Sequence, residues 1–337
     1  MQHYRAPRWL PGGNLQTIWA ATRARRHLGP APQFVRERWE TPDGDFIDVD
    51  HLAPAPGPTP ALTPAAPAAA AAPHLVLFHG LEGSSQSQYA QAFASVAQQR
   101  GWAFSVPHFR GCSGELNRAP RAYHSGDFEE IGWILERLRE RSAAPLRVVG
   151  VSLGGNALLR WAQEAGHSAA ATAGAVAAVC SPIDLAASGA AIDRGFNWLV
   201  YSRMFLASMK PKALAKWQQH PGLFDRDRLA AASTLFEFDN VFTAPLHGFK
   251  DTPDYWARAS AKPHLAALRI PALVLNARND PFVPAACLPA TSWQAASGCV
   301  TLWQPAHGGH VGFPHGAYPA HVLAMPQAVA DWLAAHG

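Results

Sequence analysis

Val148-Val149-Gly150-Val151-Ser152-Leu153-Gly154-Gly155 is the stretch of sequence that decides the fold. It places G-x-S-x-G between a short apolar run, Leu146–Val151, and apolar residues at helical spacing, Ala157-Leu158-x-x-Trp161. Glycine two residues to either side lets a strand and a helix approach closely, and the serine hydroxyl then lies beside backbone N–H groups at a helix N-terminus. We therefore predict a strand, a sharp turn at Ser152 and a helix, with Ser152 as a candidate nucleophile.

The composition is that of a globular protein. The chain has 337 residues, of which 48% are hydrophobic and 15% charged, and its net charge is only +4. Arg23, Arg25 and Arg26 form a small basic cluster that we interpret as a solvated helix end, since no basic and aromatic platform for nucleic acid accompanies it. No apolar run reaches the ~18 residues that a membrane span needs. With no recognisable signal peptide, we expect a soluble cytoplasmic protein that binds no nucleic acid.

The four cysteines form no C-x-x-C pair, so neither a disulfide framework nor a cysteine-based metal site is indicated. Cys180 and Cys299 fall in strand-like runs, which predicts buried thiols without a chemical role.

Strands and helices alternate along most of the chain. Residues 34–52 predict a hairpin around Pro42-Asp43-Gly44-Asp45. Further apolar runs predict strands at 75–78, 102–106, 146–151, 175–180, 270–276 and 300–303, with helical periodicity between them. This alternation predicts an α/β fold with a mostly parallel sheet that has helices on both faces.

Two segments depart from the alternation. Residues 53–73 are rich in proline and alanine and predict a flexible surface loop. Residues 185–261 are rich in aromatic side chains and show no strand pattern. Because the sheet pattern restarts afterwards, we interpret them as a helical cap inserted into a core made of residues 1–184 and 262–337. An independent second domain is the alternative interpretation.

A serine hydroxyl becomes nucleophilic when a base takes its proton and a third group orients that base. Asp280 lies in a proline-flanked loop after the strand at 270–276, and is our candidate acid. Asp184, which follows the preceding strand, is the alternative candidate for the acid. The last strand is followed by His307-Gly308-Gly309-His310, where we favour His310 over His307 as the base. A zinc site on this H-x-x-H pair is disfavoured because no third ligand is near in the sequence.

The oxyanion of an acyl-transfer intermediate needs two backbone donors. We predict the N–H of Leu153, directly after the serine, and the N–H of Leu81, where Gly80 lets the loop turn inward. The loop at 109–115 follows a strand at the same edge of the sheet. Arg110 could therefore face a substrate, or it could hold the loop through hydrogen bonds.

Nine motifs of the chain together resemble the YheT-like hydrolases, which are related to the eukaryotic abhydrolase-domain proteins. They are G-G-N-L-Q-T-I (12–18), T-P-D-G-D-F (41–46), H-G-L-E-G-S (79–84), F-R-G-C-S-G-E (109–115), Y-H-S-G (123–126), G-V-S-L-G-G-N (150–156), F-T-A-P-L-H-G-F (242–249), N-D-P-F (279–282) and H-G-G-H-V-G-F (307–313). The resemblance implies an α/β-hydrolase fold, a Ser152–His310–Asp280 triad and esterase or acyl-transfer activity. It also implies His310 rather than His307 as the base.

These observations predict a serine hydrolase that cleaves short- to medium-chain carboxylic esters through an acyl-enzyme on Ser152, with no cofactor or metal. A small acyl ester is the expected partner. Acyl transfer to an alcohol, or thioester hydrolysis, would use the same three side chains. The alternative from another class is a noncatalytic binding protein on the same scaffold. The acyl chain length and the oligomeric state stay open at this point.

Overall fold

The computed structural model describes residues 1, 3–54, 72–290 and 298–337. The predicted loop at 53–73 therefore lies almost wholly outside the described residues. Within the described ranges, no helix combines the length and the apolar character that crossing a membrane requires.

Eight strands form one mixed sheet in the order β1-β2-β4-β3-β5-β6-β7-β8. Their bounds are β1 Phe34–Glu40, β2 Phe46–Leu52, β3 His74–Phe78, β4 Ala103–Pro107, β5 Leu146–Val151, β6 Ala173–Val179, β7 Ala272–Leu275 and β8 Val300–Trp303. In this order, the six neighbouring strands β4, β3, β5, β6, β7 and β8 pair in parallel. At the other edge of the sheet, β2 pairs antiparallel with both β1 and β4. Both the mostly parallel sheet and the hairpin at 34–52 are thus confirmed.

Helices cover both faces of the sheet. The core helices are α1 Gly13–Thr22, α2 Gln88–Arg100, α3 Phe128–Glu140, α4 Leu153–Ala165, α5 Ala169–Thr172 and, at the C-terminus, α13 Ala324–His336. Successive residues of β3 point to opposite faces, so Val76 packs with α3 and α4 residues and Leu77 with α2 and α13 residues. This double burial explains why the parallel strands read as continuous apolar runs.

The chain between β6 and β7 is described throughout and contains helices and turns but no strand. Its α-helices are α6 Leu185–Ile192, α7 Gly195–Asn197, α8 Arg203–Gln219, α9 Arg226–Ala231, α10 Leu235–Phe238, α11 Ala244–Leu246 and α12 Thr252–Ala259. Single π-helical turns, Trp198–Ser202 and Asp239–Thr243, join α7 to α8 and α10 to α11. Much of this segment packs into a cluster of its own, in which Leu206, Leu229, Phe238 and Phe242 are buried.

Of the two cysteines predicted as plain buried thiols, Cys180 is buried as expected, and the differences lie in its place relative to the strand and in Cys299. β6 ends at Val179, and Cys180 follows it in a left-handed conformation with φ of 50°. Cys299 is half-buried and directly precedes β8. The predicted strand at 175–180 runs one residue too far at its end, because cysteine packs like a small apolar side chain.

Arg110 holds three segments of the chain together. Its guanidinium donates to Asp43 and Asp45 at 2.8 Å each, and to Glu130 at 2.5 Å, while its side chain is only 4% exposed. Burial alone would raise the pKa of Asp45, but donors from Asn117, Arg118 and Arg110 outweigh it and lower that pKa to about 2. Arg110 thus fixes the hairpin turn and its own loop to α3.

Replacing Arg110 by methionine should lower the free energy of unfolding by roughly 3 to 5 kcal/mol, because buried carboxylates lose their counter-ion. Urea unfolding of Arg110→Met measures this loss. Arg118→Met is the matched control, since Arg118 pairs with Glu40 on the exposed surface, and it should cost less than about 1 kcal/mol. Equal losses in the two variants would contradict the structural role of Arg110.

Candidate active site

Ser152 lies on the turn between β5 and α4, with φ of 53° and ψ of −122°. Its N–H donates to the Val179 carbonyl at 2.8 Å. A Cβ at Gly150 would overlap the Gly154 carbonyl oxygen, and one at Gly155 would overlap the Ser181 hydroxyl. Both glycines are therefore needed for the strand and the helix to approach each other.

The structure brings three of the predicted residues into one hydrogen-bonded chain. The Ser152 Oγ lies 2.9 Å from His310 Nε2, and His310 Nδ1 lies 2.9 Å from Asp280 Oδ2. Asp280 and His310 follow the neighbouring strands β7 and β8, and Ser152 follows β5. Because these strands are parallel, their carboxyl ends meet at the same edge of the sheet, which brings the loops together.

The carboxylate of Asp280 is fully buried and held by the backbone. Its second oxygen accepts from the N–H groups of Phe282, at 2.8 Å, and Val283, at 3.3 Å. The Phe282 ring packs against the imidazole, with 4.2 Å between the ring centroids. The carboxylate favours the tautomer with a proton on His310 Nδ1, which leaves Nε2 free to accept from the serine hydroxyl.

The alternative base and acid take no part in this chain of hydrogen bonds. His307 is exposed. Asp184 caps the N-terminus of α6 through the Ala187 N–H and forms an ion pair with Lys262 at 3.1 Å.

Leu81 and Leu153, the two predicted oxyanion donors, line the same cavity as Ser152. A Cβ at Gly80 would lie 3.1 Å from that of Ser152, so the loop approaches the serine closely. The loop is held by Gly80 N–H donating to the Tyr89 hydroxyl and Glu82 N–H donating to the Tyr123 hydroxyl. Within the described part of the chain, the N–H groups of Leu81 and Leu153 donate to no acceptor, so both are available to a ligand.

Ser152 opens into a cavity of about 1110 Å³, counting the part open to solvent. Most of its lining is apolar and comes from residues 185–261, including Leu185, Ile192, Phe205, Met209, Leu235, Phe238, Phe242 and Trp256. The charged residues at the wall include Glu82 and Lys212, which pair at 2.9 Å, and Asp239, which accepts from the Trp256 indole. Arg110 also reaches the wall, with its Nε and Nη1 donating to carboxylates.

Sequence reasoning missed the residues of α1 that hold the histidine loop. Thr17 Oγ1 accepts from the His310 N–H at 2.8 Å and donates to the Gly13 carbonyl. The Gln16 side chain, which is buried, accepts from the Gly308 N–H and from Asn279, and Asn279 accepts in turn from the Gly309 N–H. The available signal was a pair of polar residues, Gln16 and Thr17, on the buried face of a helix.

Cys180 supports the same loop, because its Sγ accepts from the Val311 N–H at 3.3 Å. The Cys180, Asp280 and His310 ligand atoms lie within 4.8 Å of one another, which makes this trio the candidate metal-binding group of the described residues. Burial, with the neighbouring Asp280 carboxylate, raises the pKa of the Cys180 thiol well above its ordinary value. A thiol that keeps its proton is a poor metal ligand, and His310 and Asp280 already bond to each other.

Comparison with known proteins places this fold in a family. Residues 73–317 match the model of the alpha/beta hydrolase fold family. The chain is 38% identical over 300 residues to the Escherichia coli (strain K12) protein named "Putative esterase YheT", covering 88% of this chain and 84% of that protein. The chain therefore belongs to the α/β-hydrolase fold family and, within it, to the YheT-like hydrolases.

More distant relatives agree with this assignment. The chain is 28% identical to phospholipase ABHD3 of Mus musculus, covering 75% of this chain and 61% of that protein. It thus spans less than two thirds of the length of that phospholipase. A puromycin-hydrolyzing peptidase of Mycobacterium tuberculosis superposes with a TM-score of 0.54 at 18% identity, covering 91% of this chain and 39% of that one. At that identity the superposition supports the fold alone.

Removing the Thr17 hydroxyl should disturb the position of His310. We expect Thr17→Val to slow the reaction of Ser152 with a fluorophosphonate by about tenfold, because the imidazole is less well oriented. Thr17→Ser keeps the hydroxyl and should react at close to the wild-type rate. Equal rates in the two variants, measured by time-resolved active-site labelling of folded protein, would contradict this role.

Asp239 should make the protein less stable as the pH rises. Burial, and to a lesser extent the Asp193 carboxylate, raises the pKa of Asp239 from 3.8 to about 6, against hydrogen bonds from Thr243 and Trp256. The folded state thus holds the proton more tightly than the unfolded state, and stability falls between about pH 4 and pH 6.

Asp239→Asn removes this ionisation, so we expect a gain on the order of 2 kcal/mol at neutral pH and a flatter profile below it. Urea unfolding at a series of pH values measures both effects. Asp331→Asn removes an exposed carboxylate and is the control. A profile for Asp239→Asn parallel to that of wild type would refute the expectation.

Proposed function

We propose that this protein is a serine hydrolase that acts on carboxylic esters of short- to medium-chain acids through an acyl-enzyme on Ser152. The single observation that carries the proposal is the continuous relay from the Ser152 hydroxyl through His310 to Asp280, with 2.9 Å at each step. In this proposal Ser152 is the nucleophile, His310 the general base and Asp280 the group that orients and stabilises the imidazole.

The geometry supports the following sequence of steps. The Ser152 Oγ attacks the ester carbonyl carbon while His310 Nε2 takes the hydroxyl proton. The carbonyl oxygen becomes an oxyanion, which accepts hydrogen bonds from the N–H groups of Leu81 and Leu153. The C–O bond to the alcohol then breaks, and His310 gives its proton to the leaving oxygen. Water, activated by the same imidazole, hydrolyses the acyl-enzyme and restores Ser152.

The Ser152 N–H is not a candidate for the oxyanion site, because it donates to the Val179 carbonyl. The remaining candidates for oxyanion donors are the N–H of Leu81, in the loop after β3, and the N–H of Leu153, the first residue of α4. Both Leu81 and Leu153 line the same cavity as Ser152. A helix N-terminus also favours negative charge, which supports the placement of the oxyanion there.

We further propose that residues 185–261 are a cap over a core formed by residues 1–184 and 262–337. Two observations support this division: the segment contributes helices and turns between β6 and β7, and it provides most of the apolar cavity wall. Such a wall suits an aliphatic acyl chain, because apolar surface of the ligand leaves water there. Two relatives are named "Putative esterase YheT" and "Phospholipase ABHD3", and both names denote action on esters, which supports this class of substrate.

Ser152→Ala should abolish labelling by a fluorophosphonate and lower ester hydrolysis by several orders of magnitude, since the nucleophile is gone. His310→Ala should have a comparable effect. The matched controls are the two alternative residues of the sequence, His307→Ala and Asp184→Asn, which should leave the rate within about threefold of wild type.

A panel of p-nitrophenyl esters of increasing chain length, with water alone or with an added alcohol, measures these rates and the products. Free acid as the main product supports hydrolysis, whereas an ester of the added alcohol supports acyl transfer. Wild-type protein that is folded yet is neither labelled nor active would disprove the proposed reaction and favour a binding protein.

A further inference from the structure

The positive charge of this protein is concentrated at one end of the chain. The first 33 residues contain five arginines and no acidic residue, whereas the rest of the chain contains 23 basic and 24 acidic residues. The net charge of +4 therefore originates in this segment. The C-terminal stretch between Asp280 and Asp331, part of which packs against it, also contains no acidic residue.

Three aromatic side chains form an exposed cluster where these two stretches meet. Trp9, Trp19 and Tyr318 contact one another, with ring centroids 5.1 to 5.6 Å apart. Trp9 is 38% exposed and Tyr318 is 74% exposed. The indole N–H of Trp19 donates to the Pro319 carbonyl. The indole N–H of Trp9 and the hydroxyl of Tyr318 bond to no described residue, so both polar groups can reach a partner.

Exposed arginines lie close in the chain to the residues of the aromatic cluster. Arg8 precedes Trp9, and Arg23 follows Trp19 by one helical turn. Arg25 is joined to Ala320 by a backbone hydrogen bond of 3.0 Å, two residues beyond Tyr318. Across the part of the chain that the structure describes, none of these arginines forms an ion pair. Their charges are therefore available to an anionic partner.

We propose that the surface formed by Trp9, Trp19, Tyr318 and these arginines docks on a lipid bilayer that contains anionic lipids. Tryptophan and tyrosine prefer the headgroup region, where their rings contact acyl chains and their polar ends stay hydrated. Each arginine close to an anionic bilayer adds electrostatic attraction. The rings meet at interplanar angles of 54° to 79°, so they do not form a parallel platform on which successive bases could stack, which favours lipid over nucleic acid.

Helix α1 links this surface to the proposed active site. α1 carries Leu15 and Trp19 on its outer face, one turn apart, while Gln16 and Thr17 on its inner face hold the His310 loop. A docked bilayer would therefore lie on the other side of a single helix from the histidine. Docking is a binding property of this surface, and it is independent of the proposed reaction.

Co-sedimentation with sucrose-loaded vesicles tests the surface, with pure phosphatidylcholine compared with a mixture containing about one third phosphatidylglycerol. We expect wild-type protein to bind the mixed vesicles at low ionic strength and to dissociate as salt is added. Combining Arg8→Gln, Arg23→Gln and Arg25→Gln should weaken this binding roughly a hundredfold. Combining Trp9→Ala with Tyr318→Ala, which leaves the charge unchanged, should also weaken binding to the mixed vesicles.

The matched control combines Arg226→Gln, Arg258→Gln and Arg269→Gln, which removes the same charge from exposed arginines elsewhere and should leave binding unchanged. Circular dichroism of every variant reports folding separately. Failure of folded wild-type protein to bind the anionic vesicles would overturn the proposal, and so would an equal loss of binding in the control. Tighter binding to a single-stranded oligonucleotide than to the vesicles would assign the surface to nucleic acid instead.

Discussion

The packing of β5 against α4 leaves no room for side chains next to Ser152, and the rest of the site is built around this turn. Side chains at Gly150 or Gly155 would overlap the Gly154 carbonyl or the Ser181 hydroxyl. The serine itself is in a left-handed conformation, which costs a non-glycine residue on the order of 1 kcal/mol or more. Because the turn lies at the carboxyl end of a central strand, only loops from that edge of the sheet can reach the hydroxyl.

Two of those loops carry Asp280 and His310, and their support comes from elsewhere in the chain. The N–H groups of Phe282 and Val283 hold the carboxylate, while Thr17 and Gln16 from α1 hold the histidine loop. α1 lies outside the residues that match the α/β-hydrolase fold family. The histidine loop is therefore held partly by a segment outside that match, and α1 also connects the candidate active site to the exposed arginine and tryptophan surface.

Much of the fold could be predicted because its signals are local. The bounds of β5 and β8 follow from short apolar runs, and the hairpin follows from its turn residues. The interpretation of Cys180 as a strand residue was wrong, since backbone conformation after a strand depends on the loops that pack there. The sequence did not decide whether Arg110 faces a substrate or holds its loop through hydrogen bonds. Its three carboxylate partners come from separate parts of the chain, so no local pattern reveals them.

The amino-acid sequence by itself determined the alternation of strands and helices and the order of the candidate nucleophile, acid and base along the chain. These properties depend on residue spacing and on the conformational preferences of glycine and proline. Only the tertiary structure decided which histidine and which aspartate meet the serine, and which side chains hold them. Gln16 and Gly308 are 292 residues apart in sequence, and no local pattern encodes a hydrogen bond that forms only when the whole sheet is assembled.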